Sequence, residues 1–251
     1  MSDPILTLHE VVVAFGALRA VDGVSLSVPR GQRRAIIGPN GAGKTTLFNA
    51  IAGAPLPTSG RILFDGHDIS RSAPHRRAQL GLSRTFQITN LFPSLSVRDN
   101  LVLALRGRSR RKFQLFGRPD TDAGETAEIE AALGAARIAA RAEVRVTELS
   151  YGEQRQLEIA LALVTSPLLL LLDEPAAGLS PTERAMLAEI IRSLDRGITV
   201  VLIEHDMDLA LGLVDWVTCL FDGRILVEQP PAEIRRNQQV QDVYLGRPRH
   251  A

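Results

Sequence analysis

The residues best suited to chemistry form one run, Gly38-Pro39-Asn40-Gly41-Ala42-Gly43-Lys44-Thr45-Thr46. Glycines four residues apart, followed by a lysine and a hydroxyl, match a phosphate-binding loop. The glycines let the backbone curl so that several N–H groups point at one spot, and a helix N-terminus behind them adds partial positive charge. That spot suits a triphosphate: Lys44 reaches β- and γ-phosphate oxygens, Thr45 offers its hydroxyl to a magnesium ion, and Thr46 follows in the first helical turn.

Three other places offer matching groups. The apolar run Leu168 to Leu172 ends in Asp173-Glu174-Pro175, the pattern of a buried parallel strand with two carboxylates at its C-terminal end. Asp173 is suited to hold magnesium and Glu174 to take a proton from an attacking water. Ile198 to Ile203 is a second apolar strand, and it delivers Glu204-His205-Asp206 at its end. Ligands of parallel α/β sheets sit at such ends, which brings His205 to the same edge as residues 38 and 173. Finally, Ser150 and Glu153 in Leu149-Ser150-Tyr151-Gly152-Glu153-Gln154 make a capping box that opens a helix. Gly152 costs roughly 1 kcal/mol in a first turn unless close backbone approach is needed. The stretch is therefore either a plain cap or a helix end where a phosphate from elsewhere docks.

The elements that must position these groups are legible around them. Arg34 to Ile37 reads as a buried strand before the loop; Leu47, Phe48 and Ile51 form the inner face of a helix closed by Gly53 and Pro55. Ile5 to Val13 and Val24 to Val28 read as strands, and Arg61 to Phe64, Asp65-Gly66, His67 to Ile69 is a hairpin signal, so a small antiparallel sheet is expected beside the core. Phe15, near a turn, is either a ring stacked on an adenine or an edge-strand aromatic.

From about Ser72 to Thr165 the pattern is mostly helical, with Ser96 and Asp99 opening a helix through Leu105, and Leu157, Ala160, Leu161 and Val164 on the inner face of the helix after Ser150. Arg106, Arg108, Arg110, Arg111, Lys112 and Arg118 form a basic cluster, read as a solvated loop or as a contact for lipid headgroups or a partner. Ser180-Pro181-Thr182-Glu183 starts a helix whose stripe is Leu187, Ile190, Ile191 and Leu194. Trp216 to Phe221 and Arg224 to Val227 form a terminal hairpin before a polar helical tail, the last segment spanning about 216–251.

With 251 residues, 45% of them hydrophobic, the chain can bury a sizeable core, and one compact unit with a subdomain is expected. A net charge of +1, from 29 basic and 28 acidic side chains, sets up no field toward nucleic acid, so no nucleic-acid partner is expected. Met1-Ser2-Asp3-Pro4 lacks the features of a signal peptide, and no apolar run approaches the ~18 residues of a membrane span, so a cytosolic protein is expected. The single cysteine, Cys219, lies in an apolar strand and reads as core packing.

In family order, these motifs resemble the ATPase subunit of ABC transporters over essentially the whole chain. Gly38 to Thr46 is similar to Walker A, Gln87 in Arg84-Thr85-Phe86-Gln87 to the Q-loop, Leu149 to Gln154 to the signature, Leu168 to Glu174 to Walker B, and His205 to the switch histidine. The resemblance implies an α/β fold: a P-loop NTPase (RecA-like) core, the small antiparallel β-subdomain, and an inserted helical subdomain at about 72–165, all in one ATPase domain over 1–251. It implies ATP and Mg2+ as ligands, Glu174 as general base, His205 as a γ-phosphate contact, and Gln87 linking the metal, held with Thr45 and Asp173, to membrane subunits. It also implies a head-to-tail dimer with a second copy or a paralogue, whose Ser150 and Gly152 cap the ATP.

Thr85-Phe86-Gln87, Leu91-Phe92-Pro93, Glu174 to Leu179 and Tyr244-Leu245-Gly246 are most similar to branched-chain amino-acid importer ATPases. That group implies two permeases, contacted through Gln87 to Asn100, an indirect link to a periplasmic binding protein, and a peripheral place on the cytoplasmic side of the inner membrane. Ser180 where asparagine is expected before Pro181, Gln238-Gln239 in place of Asn-Pro, and Phe15 in place of tyrosine depart from the pattern. Urea or amide uptake, lipopolysaccharide export, and a soluble regulatory or DNA-repair ATPase are the alternative readings.

Overall fold

The computed structural model describes residues 3–85, 91–108 and 123–244. In chain order the elements are β1 (Pro4–Phe15), β2 (Leu18–Pro29), β3 (Arg33–Ile37), α1 (Lys44–Ala52), β4 (Ser59–Phe64), β5 (His67–Asp68), α2 (Pro74–Gln79), β6 (Leu82–Arg84), α3 (Val97–Arg108), α4 (Ala123–Ala135), α5 (Tyr151–Leu163), β7 (Leu169–Asp173), α6 (Pro181–Ser193), β8 (Thr199–Ile203), α7 (Met207–Leu213), β9 (Trp216–Phe221), β10 (Arg224–Gln229), α8 (Pro231–Ile234) and α9 (Gln238–Tyr244). They fall into two compact units. The first takes Met1–Leu82, Leu168–Glu174 and Arg196–Ala251; the second takes Ser83–Pro167 and Pro175–Asp195.

The first unit carries two sheets. One is antiparallel, in the order β2-β1-β4-β5; the other has the order β10-β9-β3-β8-β7 within this unit. In the second sheet β9, β3, β8 and β7 are parallel, and β10 closes on β9 as an antiparallel hairpin. All five residues of β3, β7 and β8 are buried, as expected of strands covered on both faces. Leu47, Phe48 and Ile51 of α1 join one core with Val11 and Val24 of the antiparallel sheet, and with Ile36, Leu169 and Val201 of the parallel one. Burying Phe48 and its aliphatic neighbours, at roughly 1.5–3 kcal/mol each, fixes where α1 begins.

The expected hairpin at 61–69 is present as β4 and β5, joined by Asp65-Gly66. The β1–β2 hairpin is longer than the sequence suggested: it turns at Gly16-Ala17, and β2 takes in Leu18 to Val21 as well as Val24 to Val28. The second unit opens at Ser83, and α2 belongs to the first. The reason is Arg77, fully buried, whose guanidinium donates to the carbonyls of Ala50 and Ile51 at the C-terminal end of α1, both at 2.7 Å, and to that of Ser72 at 2.9 Å.

In the second unit α3, α4 and α5 pack on one another. Ser96 caps α3, accepting from the Asp99 N–H at 3.0 Å. Both other expected capping boxes form, at Ser150/Glu153 and at Ser180/Glu183. On α5, Leu157, Ala160 and Val164 are buried as expected, whereas Leu161 is only half-buried because it lines a surface groove with Phe92 and Leu103. Among the described residues no helix is long and apolar enough to cross a membrane.

Candidate functional site

Register in the parallel sheet determines which residues meet. Ile36 of β3 pairs with Ile203 of β8, and Ile203 pairs with Asp173 of β7. The three strands therefore end together, and the chain leaves them at Gly38, Glu174 and Glu204-His205. This is the edge where a parallel sheet receives ligand.

The loop after β3 is shaped by backbone crowding. Gly38 has φ 147°, and a Cβ there would lie 2.2 Å from the Leu220 carbonyl oxygen; Gly43 has φ 96°, and a Cβ there would lie 2.2 Å from that of Ala20. No side chain caps the start of α1. An uncapped helix N-terminus fed by such a turn is a ready anion site. Lys44 is buried, and its ammonium donates to the carbonyls of Gly38 at 2.7 Å and Pro39 at 2.9 Å. Burial pushes its pKa down, and the Glu174 carboxylate partly counters this. Thr45 is exposed at the helix start, Thr46 half-buried. The Gly38 N–H donates to the Tyr244 hydroxyl of α9 at 2.8 Å, a contact that sequence reading missed.

Asp173 is buried at the end of β7. Glu174 follows with φ 49°, its N–H tied to the Ile203 carbonyl at 2.9 Å. A non-glycine residue in this left-handed region carries strain of the kind concentrated at functional sites. His205 Nε2 lies 2.7 Å from Glu174 Oε1. A carboxylate only accepts, so Nε2 carries the proton and the pair is a charge-assisted hydrogen bond. Phe15 sits at the turn end of the β1–β2 hairpin, 53% exposed and opposite the 66% exposed Leu18. Gln87 lies outside the described residues, as do Arg110, Arg111, Lys112 and Arg118 of the basic cluster. Arg106 of that cluster pairs with Glu125 at 3.0 Å.

The residues present suit magnesium. Thr45 and Asp173 offer hard oxygen donors, and among the described residues no group of three or more His, Cys, Asp or Glu could hold a metal alone. Magnesium fits such a sparse set because it keeps waters and shares its sphere with substrate phosphates.

The second unit presents Ser150 and Gly152 at the start of α5. Glu153 N–H donates to Ser150 Oγ at 3.2 Å and Ser150 N–H to Glu153 Oε2 at 2.8 Å. The Ser150 backbone bond leads in holding the Glu153 carboxyl below its usual range. A Cβ on Gly152 would lie 2.3 Å from Glu183 Oε1. The close approach that glycine permits here is therefore made by this chain's own carboxylate, which also accepts from the Gly152 N–H. Sequence reading gave Glu183 only its capping role, because a glutamate 31 positions away carries no local signal. Tyr151 donates from its hydroxyl to the Ala177 carbonyl at 3.2 Å and packs on Gly178, joining the signature stretch to the loop after Pro175. Cys219 is buried and its thiol is pushed up to about 11 by desolvation, as core packing requires.

Comparison with known proteins places this geometry in a family. Residues 21–177 match the family model described as ABC transporter. The chain is 41% identical, over 98% of its length and 99% of the relative's, to the high-affinity branched-chain amino acid transport ATP-binding protein BraF of Pseudomonas aeruginosa. It is 39% identical over the same shares to LivG of Escherichia coli, which has the same description. Among solved structures, an ATP-binding cassette of an ABC transporter in its ADP conformation matches with TM-score 0.86 and 30% identity, covering 98% of this chain and 100% of that one. A second solved structure, cbiO1 from Clostridium perfringens, described as part of the ABC transporter complex cbiONQ, matches with TM-score 0.82 and 28% identity over 97% and 96%. The loop, the end of β7 and the helix cap at Ser150 fall within the matched residues, and the chain belongs to the ABC transporter family as an ATPase subunit.

Proposed function

We propose that this protein hydrolyses ATP on the cytoplasmic side of a membrane to drive import of branched-chain or related hydrophobic amino acids. The observation that carries this reading is the identity of about two residues in five, sustained from end to end, with relatives named for branched-chain amino acid transport. The convergence of Lys44, Asp173, Glu174 and His205 on one sheet edge supports the reaction.

The chemistry follows from that edge. Residues 38–46 receive the phosphates on backbone N–H groups, and the Lys44 ammonium exchanges loop carbonyls for phosphate oxygens. Phe15 offers its exposed face to the adenine ring. Thr45, Asp173 and Gln87 would hold a magnesium ion, which would supply charge neutralisation to the phosphates. Glu174 accepts a proton from the attacking water, and His205, bonded to the same carboxylate, fixes its orientation and stands next to the γ-phosphate. Ser150 and Gly152 of a second ATPase, a copy or a paralogue, close the site in a head-to-tail pair, so that completing the site draws two subunits together.

The face from Gln87 to Asn100 is the docking place for the permeases. In its described part, Phe92 is 54% exposed, and the turn before α3 is pinned by Asn100, whose side chain accepts from the Phe92 N–H at 2.9 Å and donates to the Ser96 carbonyl at 2.8 Å. A periplasmic binding protein that delivers substrate takes part only through those permeases. Reconstitution with two candidate permeases and a second ATPase in vesicles, with labelled leucine, urea and acetamide offered in parallel, tests the reading. ATP-dependent uptake of leucine that is lost with Glu174→Gln is expected; uptake of urea or acetamide alone overturns the substrate assignment.

A further inference from the structure

Arg77 raises a problem of charge. It is fully buried, and its guanidinium is bonded to the carbonyls of Ser70, Ser72, Ala50 and Ile51 with no carboxylate beside it. Burial alone pushes its pKa down to about 10. A desolvated cation of this kind normally has an anionic partner.

The residues that flank its carbonyl partners, from β4 to α2, rim a cavity of about 710 Å³ lined by Arg61, Asp68, Ser70, Arg71, His75 and Arg76. Arg61 comes from β4, Arg71 from the turn after β5, and Arg76 from α2, so three exposed guanidinium groups surround the space from three elements. None of the three has an ion-pair partner among the described residues. Asp68, the single acid of the rim, is already engaged: its Oδ1 accepts from the Ser70 hydroxyl at 2.6 Å and the Ser70 N–H at 2.9 Å. Three arginines therefore line the space with one aspartate. The rim is also stiff, because Arg77 ties Ser70 and Ser72 to the end of α1 and fits only because position 53 is glycine, where a Cβ would lie 2.9 Å from its Nε.

We propose that this cavity binds a phosphate-bearing anion, separately from the nucleotide loop. Guanidinium forks match phosphate oxygens in pairs, and three of them arranged around one space complement a tetrahedral group better than a planar carboxylate. The same chemistry is offered by an anionic lipid headgroup and by a soluble phosphate ester, and on a membrane surface each arginine contributes roughly fivefold in affinity.

The test uses the full chain in a Lys44→Ala background, which takes the nucleotide loop's lysine out of the comparison, with and without Arg61→Gln/Arg71→Gln/Arg76→Gln. All three side chains are exposed, so an unchanged melting curve is expected and certifies the triple variant. Sedimentation with vesicles of equal parts phosphatidylcholine and phosphatidylglycerol is compared with phosphatidylcholine alone, and glycerol 3-phosphate is titrated by calorimetry. Loss of about a hundredfold in affinity for the anionic vesicles, sensitive to salt, identifies a lipid headgroup. Loss of glycerol 3-phosphate binding with vesicle binding unchanged identifies a soluble ester. If both probes bind the variant as they bind its parent, the proposal is overturned, and co-purification with permeases that fails only for the variant assigns the face to an acidic protein contact instead. ATP turnover with Lys44 intact is expected to be unchanged by the three substitutions, so these outcomes are independent of the ATPase reading.

Discussion

Replacing Lys44 with methionine keeps the length of the side chain and removes only its charge and donors, and its effect on nucleotide affinity can be bracketed from the geometry. The ammonium already makes two bonds, to the Gly38 and Pro39 carbonyls. ATP therefore gains the difference between a phosphate oxygen and a carbonyl oxygen at each contact, not the whole of a new bond. A hydrogen bond to a charged group is worth roughly 1.5–3 kcal/mol, and exchanging a neutral acceptor for an anionic one adds about as much again. Two exchanges then come to about 3–6 kcal/mol, a loss of affinity on the order of 10²–10⁴. Fold stability should change far less. The two lost bonds are offset by release from burying an ammonium, whose cost is visible in its lowered pKa. Titration with a fluorescent ATP analogue reads the first quantity and urea unfolding the second. A variant that binds within a few-fold of wild type refutes the role given to Lys44; one that also unfolds several kcal/mol more easily means the lysine is a structural strut for the loop.

Glu174→Gln should abolish turnover while preserving a bond to His205, since an amide oxygen accepts from Nε2 as a carboxylate does; ATP should then hold a stable pair, seen by light scattering, and hydrolysis at wild-type rate contradicts the assignment of the base. Ser150→Arg places a long cation at the exposed cap of α5 and should block ATP-dependent pairing without changing nucleotide binding by the single chain, read on a sizing column in the Glu174→Gln background. Arg77→Met leaves buried carbonyls of α1 and of the turn after β5 without their donor and should cost on the order of 3 kcal/mol in urea unfolding; Arg77→Lys should recover less than half, because an ammonium lacks the fork that spans four acceptors.

What the sequence made legible was whatever is decided within a few residues. Gly38 and Gly43 are glycines because neighbouring carbonyl oxygens would meet a Cβ, and the spacing of the loop announces that requirement directly. The boxes at Ser150 and Ser180 were equally plain, since cap and partner lie three residues apart. The register that sets Asp173 beside Ile203, and hence Glu174 against His205, could be inferred only from strand ends, because both runs are uniformly apolar and carry no marker of alignment. Longer-range partners left no trace. Arg77 sits in Pro74-His75-Arg76-Arg77, which reads as a solvated helix start, yet it is the buried tie that assigns α2 to the first unit. The return of Pro175–Asp195 to the second unit was likewise hidden, because the capping box that opens α6 specifies a helix and says nothing of which neighbours it packs on.

The bond from the Gly38 amide to the phenol of Tyr244 has a practical consequence for anyone handling this polypeptide. It couples the first peptide of the loop to a side chain 206 positions downstream, in the last helix described. A protease nick ahead of Tyr244, or a bulky fusion partner that levers that helix aside, frees the Gly38 N–H and so alters the very surface that a ligand must meet. Turnover compared between trimmed and intact preparations would then report the restraint on that amide as well as the chemistry.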